Sequence, residues 1–217
     1  MNLIRKPQML FLLAATLLTI STRAETVVAQ VGVGFTKVES LGDDKRYFYT
    51  FTTAMRTYTI RQDGWSEGGS AKILRRNFQV KLGRKGQLTR FYYCELERDV
   101  LFLYEVKDGD FGWGFIERMD QTNLQPRWVT AFNGFNLGPG LVDNNSAYLS
   151  ASNLLARIDL GSGRYIWQHD HFAEESKSGF SGFQLPVLTV DRVLFREDTE
   201  SGRTIQVDKA TGKIIKS

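Results

Sequence analysis

Cysteine appears once in this 217-residue sequence, histidine twice and proline four times. One cysteine cannot close an internal disulfide, and it excludes a four-cysteine zinc site. Four prolines and 20 glycines are too few for a collagen-like chain, and 42% hydrophobic with 24% charged residues is not a disordered balance. An excess of one charge is also lacking, since 28 basic residues stand against 24 acidic ones. No arrangement of residues announces catalysis. Aromatics are plentiful, with fifteen Phe, eight Tyr and four Trp, and the length suits one ordinary domain or two small ones.

There is one long apolar run, residues 9–20. It follows a short basic head of Arg5 and Lys6 and precedes a polar stretch with Thr22 and Ala24 ahead of Glu25. That is the layout of a secretory signal peptide over residues 1–24 with a signal helix, and it is shorter than the roughly 20 residues a spanning helix needs. Val28-Ala29 offers a later cut, and an uncleaved anchor is the rival reading. No cysteine near the site invites lipid attachment. The expected location is secreted or periplasmic, with no stable membrane span after cleavage. Loss of Arg5, Lys6 and Arg23 leaves 25 basic residues against 24 acidic ones in residues 25–217. A near-neutral chain gives no general electrostatic reason to expect nucleic acid. The basic run from Lys72 to Arg90 reads as the solvated face of a hairpin, with a polyanion site as the alternative.

Three segments align without gaps, at 119–128, 158–167 and 207–216. Each has an apolar residue and then Asp120, Asp159 or Asp208. Three positions on stands Asn123, Ser162 or Thr211, followed by Leu124, Gly163 or Gly212. Eight residues after the Asp stands Trp128, Trp167 or Lys216. An Asp at a strand end can accept backbone N–H groups of the turn after it. Glycine supplies the positive φ of such a turn, and Trp can then plug the core. Upstream of each lies another strand pair, around 99–106, 143–150 and 191–196, with Pro139 and Pro186 just ahead of the last two. Each unit is thus about four short strands in about 40 to 50 residues, the size of a propeller blade. Residues 78–88 could be a degenerate further copy. The N-terminal third alternates in the strand manner at 46–53 and 56–61, with Ser66 to Ser70 as the best linker.

The stretch Leu155-Ala156-Arg157-Ile158-Asp159-Leu160-Gly161-Ser162-Gly163-Arg164-Tyr165-Ile166-Trp167 resembles the repeat of the pyrroloquinoline-quinone-type β-propellers. So does the turn Asp208-Lys209-Ala210-Thr211-Gly212. The resemblance is clearest over residues 91–217. It departs at Leu124, at Pro126 and at Lys216, which stands in place of Trp. It implies an all-β fold over 25–217: a partial or small β-propeller of about four four-stranded blades, either closed, open, or completed by self-association. Propellers with this repeat often serve as scaffolds, including in bacterial outer-membrane protein assembly.

Other candidates are weaker. His169 and His171 share one face of a strand and could join Glu174 or Glu175 around a metal, or simply end a solvated strand. The Asp- and Asn-rich stretches at 107–110 and 143–145 lack a calcium loop's ligand series. Asn144-Asn145-Ser146 is a formal glycosylation sequon. Cys94 reads as a buried structural thiol. Phe111, Trp113 and Phe115, then Phe132 and Phe135, then Phe180 and Phe183 set aromatics beside glycines, either as binding loops or as packing between blades. The expectation is an exported binding module without catalytic, metal or cofactor residues, whose partner is another exported protein. A carbohydrate-binding surface is the alternative, favoured by exposure of Trp65, Tyr92 and Trp113. A quinone-dependent dehydrogenase is a third, for which the chain is less than half the expected size.

Overall fold

The computed structural model describes residues 32–41, 48–63, 70–75, 78–108, 111–152, 154–170, 182–199 and 202–216. Among them there is no helix, and the fold is all-β, in four antiparallel sheets. The expected signal peptide, Trp65, Phe180, His171, Glu174 and Glu175 lie outside the described residues.

The first described elements are three two-residue strands: β1 (Val33–Gly34), β2 (Thr36–Lys37) and β3 (Ser40–Leu41). β3 then begins the first sheet, continued by β4 (Phe48–Thr52), β5 (Thr57–Asp63), β6 (Ser70–Arg75) and β7 (Phe78–Lys85). The second sheet runs β8 (Gln87–Glu95), β9 (Asp99–Asp108), β10 (Phe111–Asp120) and β11 (Pro126–Asn133). The third runs β12 (Leu141–Asp143), β13 (Ser146–Ala151), β14 (Leu154–Asp159) and β15 (Tyr165–Asp170). The fourth is β16 (Val187–Leu188), β17 (Arg192–Arg196), β18 (Thr204–Asp208) and β19 (Ile214–Lys216). Within each of the runs β3 to β7, β8 to β11, β12 to β15 and β16 to β19, neighbours in sequence are neighbours in the sheet. Those hairpins are therefore local, and their pairing costs little loop closure.

The first three strands do something the alternating pattern of the N-terminal third did not suggest. β3 pairs with β4, β2 adds to the free edge of β8, and β1 adds to the free edge of β12. Within nine residues, one strap crosses the leading edges of three sheets. Phe35 N donates to Gly140 O and Val38 N to Phe91 O, both at 2.9 Å, so backbone bonding continues between the paired steps.

Three cores separate the four sheets. Tyr49, Phe51, Tyr58 and Ile60 of the first sheet pack against Phe91, Phe102 and Tyr104 of the second. Leu101, Leu103 and Ile116 of the second meet Leu149, Leu154 and Ile158 of the third. Tyr148, Leu155 and Trp167 of the third meet Val193, Phe195 and Val207 of the fourth. Side chains alternate across a strand, so β9 sends Val100, Phe102 and Tyr104 one way and Leu101 and Leu103 the other. Its nearly continuous apolar run is what burial on both faces requires.

Residues 78–88 do not form a further copy of the repeat turn. Phe78–Lys85 closes the first sheet, Gly86 turns at φ 135°, and Gln87 opens the second sheet. A repeat turn joins two paired strands, whereas β7 and β8 belong to different sheets.

Candidate functional site

Two regions gather polar side chains. At one end of the sheets lie the turns after Asp120, Asp159 and Asp208, which end β10, β14 and β18. Asp159 Oδ1 accepts Ser162 N at 2.8 Å and Ser162 Oγ at 2.7 Å. Asp208 Oδ1 accepts Thr211 N and Oγ1, both at 2.7 Å, and Asp120 Oδ1 accepts Thr122 N at 2.7 Å. These donors hold the three carboxyls below the usual Asp range. The largest cause is the Thr122 amide at Asp120, the Ser162 hydroxyl at Asp159 and the Thr211 amide at Asp208. Four residues after each Asp the backbone is left-handed: φ is 62° at Leu124, 72° at Gly163 and 77° at Gly212.

Each of these turns receives side chains from the preceding sheet. Arg118 Nη1 and Trp128 Nε1 both donate to Leu160 O, at 2.8 and 2.9 Å. Arg157 Nη1 and Trp167 Nε1 both donate to Lys209 O, at 2.7 and 3.1 Å. The indoles cover the glycines of those turns. A Cβ on Gly163 would come within 2.5 Å of Trp128, and one on Gly212 within 2.6 Å of Trp167. A third contact follows two residues after each Trp. Thr130 Oγ1 donates to Gly163 O at 2.5 Å, and His169 Nε2 bonds Gly212 O. His169 is therefore part of an inter-sheet grip, with its Nε2 engaged by a carbonyl. Arg56, from the β4–β5 turn, performs the equivalent step on the second sheet, donating to Gln121 O at 2.5 Å and Thr122 O at 3.0 Å.

Sequence reasoning found the Asp, Gly and Trp of this unit and missed the arginine. Its signal was present as Arg118-Met119-Asp120 and Arg157-Ile158-Asp159, with Gln206 at the same place in the last copy. Asp99, 3% exposed, takes Arg118 Nε at 2.6 Å and Arg127 Nε at 2.8 Å. Ser146 stands opposite Asp159 as Asp99 stands opposite Asp120, and it accepts Arg157 Nε at 2.9 Å.

The second region is a cleft of about 390 Å³ between the strap, the first two sheets and the start of the fourth. The strap supplies Lys37 and Glu39, paired at 2.7 Å; β4 supplies Tyr49, β8 Arg90 and Tyr92, and the fourth-sheet side Phe183 and Asp198. Arg90 Nη1 and Tyr92 Oη both donate to Leu137 O, at 2.8 and 3.1 Å. Burial pushes the Tyr92 hydroxyl up, so it stays a donor. Behind them the fully buried Glu105 accepts Leu137 N at 2.8 Å and Thr89 Oγ1 at 2.6 Å. Both backbone polar groups of Leu137 are thereby anchored to the second sheet.

Beside this cleft the fourth sheet leaves Leu185, Val187 and Val190 exposed, at 44%, 47% and 80%. The aromatic–glycine stretches are distributed differently. Phe115, Phe132 and Phe183 are buried in the three cores, and the Phe132 ring lies where a Cβ on Gly114 would stand. Trp113 packs half-buried on the first core, and Phe135 is exposed in the bend after β11. Phe111 opens β10, with its side chain outside the described residues. Among the described side chains these aromatics do not converge on one surface, and of them Phe183 lines the cleft. Tyr92, at 4% exposure, offers no ring face to a sugar.

Cys94 is buried and free, and burial pushes its thiol up to about 11. Asp143 pairs with Lys209 Nζ at 2.6 Å, tying third sheet to fourth. Asn144, at φ 51°, sits in the exposed β12–β13 turn. Among the described residues no three His, Cys, Asp or Glu side chains are placed to hold a metal ion, and no helix is long and apolar enough to cross a membrane. No protein-family model matches the chain, and no curated protein matches it either.

Proposed function

We propose that this chain is an exported, non-catalytic binding module built as a small or partial β-propeller of four successive blades, and that it binds another exported protein. The pyrroloquinoline-quinone-type repeat supplies the architecture, and the apolar run behind a basic head supplies the export signal. The single observation that carries the reading is the grip repeated from sheet to sheet. Arg, Trp and a third donor on one sheet close on the turn of the next. Such a grip fixes neighbouring sheets rigidly, which is what a surface must have to bind a partner without first paying to order itself. The fourth sheet carries exposed apolar side chains beside a polar cleft, a combination suited to a protein partner.

Residues 25–217, purified in mature form, are immobilised and exposed to a native envelope extract, and the eluate is identified by mass spectrometry. One protein partner in stoichiometric amount is the expected result. A glycan or a quinone with no protein would sink the reading.

A further inference from the structure

The charge of this chain is unevenly spread. Residues 61–90 hold eight basic residues against two acidic ones, Asp63 and Glu67, while the rest of residues 25–217 holds seventeen basic against twenty-two acidic. The register of the first sheet gathers part of that excess. Arg61 stands opposite Lys72 and Lys72 opposite Lys81, a row of three cations across β5, β6 and β7. Residues directly opposite one another share a face. Tyr58 and Ile60 belong to the first core, so by alternation Arg61 belongs to the other face, where Thr50, Thr52 and Thr57 are exposed. Neighbouring strands lie about 4.8 Å apart, so the three positions fall within about 10 Å.

Like charges directly opposite each other destabilise a sheet. The second sheet shows how this chain answers such a pair: Asp99 stands opposite Asp120, and Arg127 bonds both, at 2.8 and 3.0 Å. Of the register positions bordering the cation row only Asp63 is acidic, and Lys85, opposite Ser70, adds a fourth cation. The chain's own connections supply little more. Residues 64–69 bring one acid, residues 42–47 are neutral, and residues 171–181 carry one net negative charge. The row therefore calls for an anion from outside the chain.

We propose that the outward face of the first sheet docks on an anionic lipid surface. The inference rests on the export half of the reading above, because an exported chain meets membrane surfaces. Apolar positions are interleaved with the charges. The row continues to Phe48 of β4, and Leu74 lies in the next row, opposite Thr59. Trp65 falls in the connection from β5 to β6. Cations together with Trp, Phe and Leu suit the boundary between lipid headgroups and acyl chains. A linear polyanion would engage the row and gain nothing from Leu74.

The probe is vesicles of phosphatidylcholine, alone or mixed in equal parts with phosphatidylglycerol. The exported protein should float with the anionic vesicles and not with the neutral ones. Salt should release it, because the Debye length shrinks from about 10 Å at 0.1 M to about 3 Å at 1 M. Lys72→Gln should weaken binding about fivefold, and Arg61→Gln, Lys72→Gln and Lys81→Gln together about a hundredfold. Arg164→Gln, Arg196→Gln and Lys213→Gln remove as much charge from exposed positions around the third and fourth sheets, and should weaken binding far less. Relief of like-charge repulsion should keep the urea midpoint of the row's triple variant at or above that of the wild-type chain.

A lower midpoint would mean that acids of the chain itself hold the row, and the inference fails. It fails too if anionic and neutral vesicles bind alike, or if the row's triple variant floats as well as wild type. If vesicles do not bind but heparin does, through the same three cations, the face serves a linear polyanion and not a lipid surface. Capture of a protein from the extract is read separately, so the protein-binding reading and this inference stand or fall independently.

Discussion

Among the described residues the second and third sheets are packed on both faces, whereas the first and fourth are packed on one. β9 is buried from Val100 to Val106 without a break, and β13 from Ser146 to Ala151. In the first sheet Tyr49, Phe51, Tyr58 and Ile60 face the core, while Thr50, Thr52 and Thr57 face solvent. In the fourth, Val193, Phe195, Ile205 and Val207 are fully buried, while Arg192, Leu194, Thr204 and Gln206 alternate with them half-exposed. Position in the stack is thus written in the inner strands, continuous in β9 and β13 and period-two in β4 and β17. The outer strands β11 and β15 alternate even in the middle sheets. The junctions differ in the same sense. Second-to-third and third-to-fourth each use Arg, Trp and a third donor, while first-to-second uses Arg56 from a different turn.

The comparison breaks most readily at the indoles. Trp167 is 8% exposed and covers Gly212, so Trp167→Ala should cost about 4 kcal/mol, within the usual range for emptying a large aromatic site. Trp128 is half-buried, and Trp128→Ala should cost about 3 kcal/mol. Urea unfolding checks both, read as a shift in midpoint at constant slope. A loss below about 1 kcal/mol in either variant would mean that the indole is not the plug of its junction.

How much of this was legible in the sequence follows from how local each feature is. The Asp–turn–Gly unit is local, so Asp120, Asp159 and Asp208 could be read from neighbours within five residues. The strand periodicity of 46–53 and 56–61 is local too, and β4 and β5 lie there. The destination of the Trp side chain was legible only as a core, because its partner carbonyl stands 32 or 42 residues away. His169 looked like a candidate metal ligand because a strand-end imidazole carries no local sign of a carbonyl 43 residues on. The strap was least legible of all. Two-residue strands have no period to detect, and their register is set by three sheets not yet built when the segment is read.

The arginines sharpen the contrast between the two middle sheets. Arg118 serves a buried carboxylate as well as the Leu160 carbonyl, so Arg118→Met leaves Asp99 with Arg127 alone. The expected loss is about 2 to 3 kcal/mol, dominated by the desolvated acid. Arg157 serves Ser146, which is neutral, and Arg157→Met should cost about 1 to 2 kcal/mol. Equal losses would show that the carbonyl, common to both, sets the energy and that the acid adds nothing.

Leu124 tests which of two opposing effects governs the first repeat turn. Its left-handed φ costs about 1 to 2 kcal/mol in any residue with a Cβ. It is also 7% exposed, packed in the first core, where truncating a leucine costs about 2 to 5 kcal/mol. Burial outweighs strain, so Leu124→Gly should destabilise by about 2 kcal/mol although it installs the residue found at Gly163 and Gly212. A gain in stability would reverse that order and make the Leu a relic of conformation and not of packing.

The smallest effect separates a coupled grip from three independent contacts. Thr130→Val keeps the β-branched shape and removes one hydrogen bond, at a cost of about 1 kcal/mol. Its bond reaches the carbonyl of Gly163, whose α-carbon lies under Trp128. If the indole holds that turn in place, the hydroxyl has no fixed acceptor once the indole is gone. Trp128→Ala with Thr130→Val should then lose less than the sum of the single losses, by about 0.5 kcal/mol or more. Additivity to within about 0.3 kcal/mol would mean that each donor finds its carbonyl unaided, and that the sheets are held by their cores alone.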